Sequence, residues 1–363
     1  MTIKDIAKEA NVSVATVSRV INNYKWVSPD LRERVLKIIE RESYHPSYNA
    51  SAMATGKSRV VVIIVPDIAG TFFAQFTSVA AKILKEAGYA TVLVQTNNDE
   101  AEEESFFSGS FLGMADGIIS VTDSLEESNL IRLLKPLRKK KKPVIFLDRR
   151  IPTYIADSIA YDTKSAVNYA MEKLLLGGHR RIGLILGAKG KSIITDKLDG
   201  YRSALRRWGY KQDRELIRYG DWTVETGIAE TEKLLKLSAT AIVAGNNCIC
   251  EGAAIALKRH GKTVGRDIAL VGFEESDSDR QLFDRLGIST FQLRPSAMAT
   301  DACDYILKKL SDQESEPRTA YHATVYPVDF IDRGFAANIS RGTRPENENE
   351  RPANKSQVEI SDF

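Results

Sequence analysis

Long apolar runs are missing from this chain. No stretch of its 363 residues approaches the ~20 consecutive apolar residues of a membrane-crossing helix, so no membrane partner is expected. Cysteine is scarce, with Cys248, Cys250 and Cys303 the only three. Three thiols cannot build a disulfide framework, and Cys248-Ile249-Cys250 lacks the spacing and partners of a metal site, so buried thiols are expected. Four scattered histidines give no metal cluster either. Neither sign of charge dominates, since 51 Lys and Arg against 48 Asp and Glu leave a formal +3. Paired carboxylates in an acid–base arrangement, a glycine-rich phosphate cradle and a nucleophile elbow are also absent. No catalytic residue and no cofactor are expected, and the protein reads as a non-enzyme. The chain opens on a helical pattern without a signal-peptide layout, which makes a cytoplasmic location the expectation.

What is present begins with two short amphipathic helices. Ile3, Ile6, Ala7 and Ala10 recur on one side of the first, with Lys4, Lys8 and Glu9 on the other. Thr2 and Asp5 fit a capping box at its start. After the short link Asn11-Val12-Ser13, the residues Val17, Val20 and Ile21 repeat at helical spacing. Ser13, Thr16, Ser18, Arg19 and Asn22 fall mostly outside that stripe and carry groups that can bond phosphates and base edges. So short a link forces a steep crossing, the layout of a helix-turn-helix whose second helix is a candidate DNA reader. Ser28-Pro29-Asp30 reads as the next helix start, with Ser capping and Pro at the first helical position. Leu31, Val35, Leu36, Ile38 and Ile39 then give that third helix a broad apolar face. Residues 1–58 carry nine Lys or Arg against six Asp or Glu, so DNA affinity has to come from doubling the module and adding contacts.

From Arg59 the texture changes. Val60-Val61-Val62-Ile63-Ile64-Val65 is a continuous β-branched run, the mark of a strand buried on both faces of a parallel sheet. Helical patterns around 72–87, 100–112 and 126–141 alternate with strand-like runs at 91–95, 117–121 and 144–147. The alternation continues through strand 158–161, helix 163–176, strand 182–186, helix 196–208, strand 216–219, helix 226–237, strand 240–244, helix 249–260 and strand 268–273. Such grammar predicts a doubly wound α/β body. The basic run Arg138–Lys142 sits at a helix C-terminus, where cations complement the helix dipole. Gly177-Gly178-His179-Arg180-Arg181 reads as a helix C-cap and turn, with His179 structural. Residues 336–363 are polar, without a Leu or Ile heptad, and read as a disordered tail.

Ile3-Lys4-Asp5-Ile6-Ala7, followed by Val12-Ser13-Val14-Ala15-Thr16-Val17-Ser18-Arg19-Val20-Ile21-Asn22, resembles the headpiece of the lactose/galactose-repressor family. Tyr44-His45-Pro46-Ser47-Tyr48-Asn49-Ala50 resembles the entry into that family's hinge helix, and the resemblance runs to about residue 335. It implies an all-α helix-turn-helix headpiece at 1–46, a hinge helix and linker at 47–59, and an effector-binding and dimerisation core at 60–335. That core would consist of two doubly wound parallel-sheet lobes of the periplasmic-binding-protein type. The first would take 60–161 and 292–322, the second 162–290 and 323–335. By the same resemblance Val14, Ala15 and Arg19 touch bases. Val14 and Ala15 can meet thymine methyl groups, and Arg19 can pair with guanine O6 and N7. Met53 stands where the family's minor-groove wedge is usually Leu. Thr2, Ser13, Ser18, Asn22, Ser28, Tyr44 and Ser47 are the expected phosphate contacts. Two hinges packing together imply a homodimer on a palindromic, double-stranded operator.

The resemblance also marks an effector cleft. Asp67, Phe72 and Phe73 follow the first strand in a pattern like Asp-Ile-x-Asn-Pro-Phe-Phe, with Gly70-Thr71 replacing Asn-Pro. Asp148-Arg149 ends another strand, Trp222 offers an aromatic face, and Asn246 and Asn247 end a third strand. Lys197 stands where Arg is usual and Glu274 where Asp is usual. A carboxylate, amides and a cation around an aromatic face suit a sugar or sugar derivative. The sequence thus points to a repressor of transcription switched by a small molecule. Control by a phosphorylated carrier protein is the alternative within that class, and a sugar-binding protein or enzyme with a helical cap the alternative outside it.

Overall fold

The structure is a computed structural model and describes residues 2–21, 26–42, 57–113, 115–121, 127–149, 151–188, 192–275, 280–312 and 321–334. Asn22, Tyr44, Ser47, Met53, the expected hinge helix and the expected tail lie outside the described residues, as does the side chain of Glu274.

Helix α1 (Ile3–Glu9) starts on Thr2, whose amide donates to Asp5 Oδ2 at 2.8 Å while its hydroxyl accepts from the Asp5 amide at 3.4 Å. Both halves of the capping box are therefore present. The helix ends on Asn11, held in the left-handed region at φ +52°. The Asn11 amide donates to the Lys8 carbonyl at 3.2 Å and the Val12 amide to the Ala7 carbonyl at 2.9 Å. That pair of bonds is a Schellman closure, and it turns the chain at once into α2 (Val14–Ile21). Helix α3 (Pro29–Arg41) closes the module over a core of Ile6, Ala7, Ala10, Val17, Val20, Val35 and Ile38, and an Arg41–Glu9 ion pair ties it to α1. Two expectations need correction. Ser28 occupies the N-cap position, but its hydroxyl makes no cap bond. Leu36 is 46% exposed, because the buried stripe of α3 runs through Leu31, Val35, Ile38 and Ile39 and leaves position 36 to one side.

The body comprises β1 (Val60–Val65), α4 (Thr71–Glu86), β2 (Ala90–Gln95), α5 (Glu100–Ser108), β3 (Gly117–Ser120), α6 (Glu127–Lys139), β4 (Val144–Leu147), β5 (Asp157–Tyr161), α7 (Thr163–Leu176), β6 (Ile182–Leu186), α8 (Ser192–Arg207), β7 (Ile217–Tyr219), α9 (Val224–Lys236), β8 (Ala241–Ala244), α10 (Asn247–Arg259), β9 (Ala269–Glu275), α11 (Arg280–Leu286), β10 (Ser289–Gln292), α12 (Pro295–Ser311), β11 (Ala323–Tyr326) and β12 (Asp329–Ile331). These build two six-stranded sheets, β2-β1-β3-β4-β5-β11 and β7-β6-β8-β9-β10-β12. All pairings are parallel except β10 with β12. In β1 the side chains of Val61, Ile63 and Val65 pack under α4 and α12, while Val62 and Ile64 pack under α5 and α6. The second sheet repeats this, with Leu184 and Leu186 of β6 under α7 and α8 and Ile185 under α9 and α10. Burial on both faces explains the unbroken apolar runs. In each lobe the strand order reverses beside the first strand, which opens a crevice at the carboxyl ends of the strands.

The chain crosses between the sheets at 161–163, 292–295 and 326–329. Residues 323–326, expected in the second lobe, form β11 beside β5 of the first sheet. The partnership is fixed where the Ser158 amide donates to the His322 carbonyl at 3.0 Å and the His322 amide to the Asp157 carboxylate at 2.8 Å. The crossings also bond to one another. The Arg294 amide donates to the Tyr161 hydroxyl at 2.8 Å, the Asp162 amide to the Tyr326 carbonyl at 2.9 Å, and the Arg294 guanidinium pairs with Asp329. Val328 packs against the cores of both lobes.

The basic run at 138–142 is partly spent on structure. Arg138 donates to the Ile155 carbonyl and lies over the Tyr321 ring, and the Lys142 ammonium donates to the carbonyls of Gly113 and Ala115. Gly178, at φ +90°, closes α7 in the same way that Asn11 closes α1. His179 behind it is buried, with Nδ1 3.1 Å from Thr240 Oγ1 and no partner on Nε2. Cys250 and Cys303 are buried and Cys248 half-buried, and burial pushes the Cys303 thiol up to about 12.

Candidate functional site

Helix α2 divides cleanly between packing and presentation. Val17 and Val20 are buried, whereas Val14, Ala15 and Arg19 stand exposed. Ser13 caps the helix, accepting from the Thr16 amide at 3.1 Å with its hydroxyl 2.9 Å from that of Thr16. The Thr2 hydroxyl likewise donates to Asp5 at 2.8 Å. Two of the expected phosphate donors are thus oriented by caps. Ser18 is half-buried, and Ser28 is exposed beside Trp26, which is itself 92% exposed.

On the second lobe the expected cleft residues converge on Trp222, which follows β7. A Cβ on Gly187 would stand 2.2 Å from the indole, and one on Gly245 would stand 2.9 Å from it. Only glycine after β6 and after β8 therefore lets the ring settle onto the strand ends. Lys197 of α8 is buried to 1% exposure, donates its ammonium to the Gly245 carbonyl, and lies 5.5 Å from the Trp222 ring centre and 4.7 Å from that of Phe273. Lys197 was expected as a cation of the effector cleft. It is buried beside the indole, where its long stem reaches a carbonyl and two π faces at once. Asn246 caps α10, accepting from the Ile249 amide at 2.9 Å, and its own amide donates to the Trp222 carbonyl at 3.4 Å.

The first lobe supplies the opposite wall. Asp67 is exposed after β1, and its carboxylate accepts from the Ala69 amide at 2.9 Å. Gly70 lies between Asp67 and Phe73, and a Cβ there would make only ordinary contacts, 3.9 Å from Asp67 Oδ2 and 3.7 Å from the Phe73 ring. Phe72 meets Phe73 edge-on at 5.2 Å and Tyr161 at 6.3 Å. Burial pushes the Tyr161 phenol well above its ordinary range, and the carboxylate of Asp148 adds to this. Asp148 adopts φ +61° and pairs with the buried Arg149. Across the cleft, the Asn247 side-chain amide donates to the Thr71 hydroxyl at 2.9 Å and so links the first turns of α10 and α4.

Residues 2–47 match the family model described as bacterial regulatory proteins, lacI family, and residues 58–331 match periplasmic binding proteins and sugar binding domain of LacI family. The chain belongs to the LacI family. It is similar to catabolite control protein A of Priestia megaterium, at 30% identity over 76% of this chain and 83% of that one. The repressor CytR of Escherichia coli K12 is 30% identical over 76% of this chain and 80% of its own length. A lac repressor dimer bound to operator and the anti-inducer ONPF shares the fold with a TM-score of 0.78 at 22% identity, covering 93% of this chain and 99% of that one. The protein is a DNA-binding transcriptional regulator with a helix-turn-helix region and two α/β lobes. Among the described residues no helix is long and apolar enough to cross a membrane.

Four features of this LacI-family cleft escaped the sequence reading: Phe273 and Tyr161, the Gly187–Gly245 seat, and the Thr71–Asn247 bond. A glycine directly after each of two buried strands was the available signal for the seat. No local pattern could pair Thr71 with Asn247, which are 176 positions apart in sequence.

Proposed function

We propose that this regulator is a homodimeric repressor that reads a palindromic operator with paired α2 helices and responds to a sugar or sugar derivative held between its lobes. The observation that carries the DNA half is the exposure of Val14, Ala15 and Arg19 together on a helix fixed by a cap and a Schellman turn. Arg19 would take a guanine, Val14 and Ala15 would take thymine methyl groups, and Thr2, Ser13, Ser18 and Ser28 would hold phosphates. In the cleft, the half-exposed Trp222, the Asn246 and Asn247 amides, Asp67, Asp148–Arg149 and the Phe72–Phe73 pair would hold the effector, with Lys197 acting from beside the indole.

The test is binding to DNA selected from a random pool, followed by Arg19→Ala on the full chain. A good bidentate contact is worth about 1–3 kcal/mol, so affinity for the selected site should fall roughly tenfold or more. A thermal shift given by the sugar that binds the unaltered protein should survive. Unchanged site-specific binding in Arg19→Ala would remove α2 as the reader.

A further inference from the structure

The far edge of the second sheet carries a hollow that the cleft does not use. A cavity of about 830 Å³ opens between the later turns of α8, the short 3₁₀ turn Arg214–Leu216 and the edge strand β7. The connection from α8 to β7 runs past the amino ends of the parallel strands, whereas the cleft lies at their carboxyl ends. Arg202, Arg206, Arg214 and Arg218 line the hollow, and no Asp or Glu stands among its lining residues. Two of these guanidiniums are held by neighbouring side chains. Arg202 donates to Gln212 Oε1 at 3.0 Å and Arg218 to Glu230 Oε2 at 2.6 Å. Burial acts to raise the Glu230 carboxyl, but hydrogen bonds from Lys233 and Arg218 outweigh it and keep that group ionised below its usual range. Arg206 and Arg214 are exposed and have no ion-pair partner among the described residues. The apolar floor is Leu205 and Ile217, flanked by the rings of Tyr210 and Tyr219.

Arg218 is balanced by Glu230, but Arg206 and Arg214 bring two uncompensated charges to the same concavity, and an anion between them would relieve their repulsion. Planar guanidinium forks match phosphate oxygens two at a time. The volume lies in the range of small-molecule sites, and the tyrosines and aliphatic floor suit a flat ring. We propose that this hollow binds a small molecule carrying at least two phosphate charges on a ring-shaped body, as a second ligand input separate from the cleft. Its position allows it to act on the cleft. Arg218 and Tyr219 pair with Ile185 and Leu186, immediately before Gly187, and Tyr219 lies three residues before Trp222. An occupant that tightens β7 against β6 therefore bears on the seat of the indole.

The proposal does not depend on operator recognition or on the nature of the cleft ligand. Isothermal titration of the full chain at low salt would use ADP, inorganic pyrophosphate and adenosine. ADP and pyrophosphate should bind and adenosine should not, with ADP the tighter if the tyrosines hold its ring. Arg206→Ala combined with Arg214→Ala alters two exposed side chains with no ion-pair partner among the described residues, so folding should persist, and it should weaken ADP roughly tenfold or more. Asp67→Asn, on the first lobe's wall of the cleft and away from β6 and β7, should leave ADP affinity within about twofold. Absence of binding by both phosphate probes would overturn the proposal. Binding indifferent to the double arginine change, or abolished by Asp67→Asn, would do so as well.

Discussion

A buried ammonium is tolerated only where acceptors and π faces replace its water, and Lys197 has a carbonyl and two rings. Lys197→Met keeps the stem but strands the Gly245 carbonyl, which should destabilise the protein by about 1–3 kcal/mol in urea unfolding. It should also blunt the effector's thermal shift by loosening Trp222. His179 poses the opposite problem, a titratable ring with one unpaired nitrogen in a dry place. Burial lowers its pKa from the ordinary 6.5. Above that value both folded and unfolded chains hold it neutral and its contribution is intact. As the pH falls through and below 6.5 the unfolded chain takes up a proton that the folded one resists, so stability is lost until the folded pKa is passed. Unfolding measured between about pH 7.5 and 5 should show His179→Gln losing less stability over that span than the unaltered protein does. Positions such as these were visible as letters, but which of them is buried depends on neighbours from several strands.

At the scale of elements, local signals were sufficient in the headpiece and insufficient at the end of the chain. The helix pair was legible because its apolar spacing, its capping box and its three-residue link all act within about one turn of each other. The left-handed Asn11 makes a further case. A β-branched residue there meets a penalty of about 1–2 kcal/mol, so Asn11→Val should lower both helix melting, followed by circular dichroism, and DNA affinity. Asn11→Gly should retain both. By contrast, Ala323–Tyr326 and Asp329–Ile331 are two short β-prone runs separated by Pro327-Val328. Nothing within either run says which sheet edge it completes. That choice is made by Asp157, His322 and the Tyr161–Arg294 bond, over more than a hundred residues of separation.

For the whole molecule, the bond between Thr71 and Asn247 joins the two lobes at a point away from the three crossings. Thr71→Val removes it with little change in volume. If the lobes adopt two arrangements, the equilibrium should shift and effector affinity should change several-fold, with a reciprocal change in how strongly the effector alters DNA binding. Titration of effector with and without operator measures both halves. The crossings have another consequence, which concerns time. The first sheet receives β5 by residue 161 but waits for its edge strand until residue 323, and the second sheet waits for β12 until residue 329. At ~5–20 residues per second of synthesis, the first lobe stands with an open β5 edge for roughly ten to thirty seconds. Both lobes are then completed within a handful of residues of each other. A message broken shortly before codon 320 would therefore leave two incomplete sheets at once, with the β5 edge of the first still unpaired.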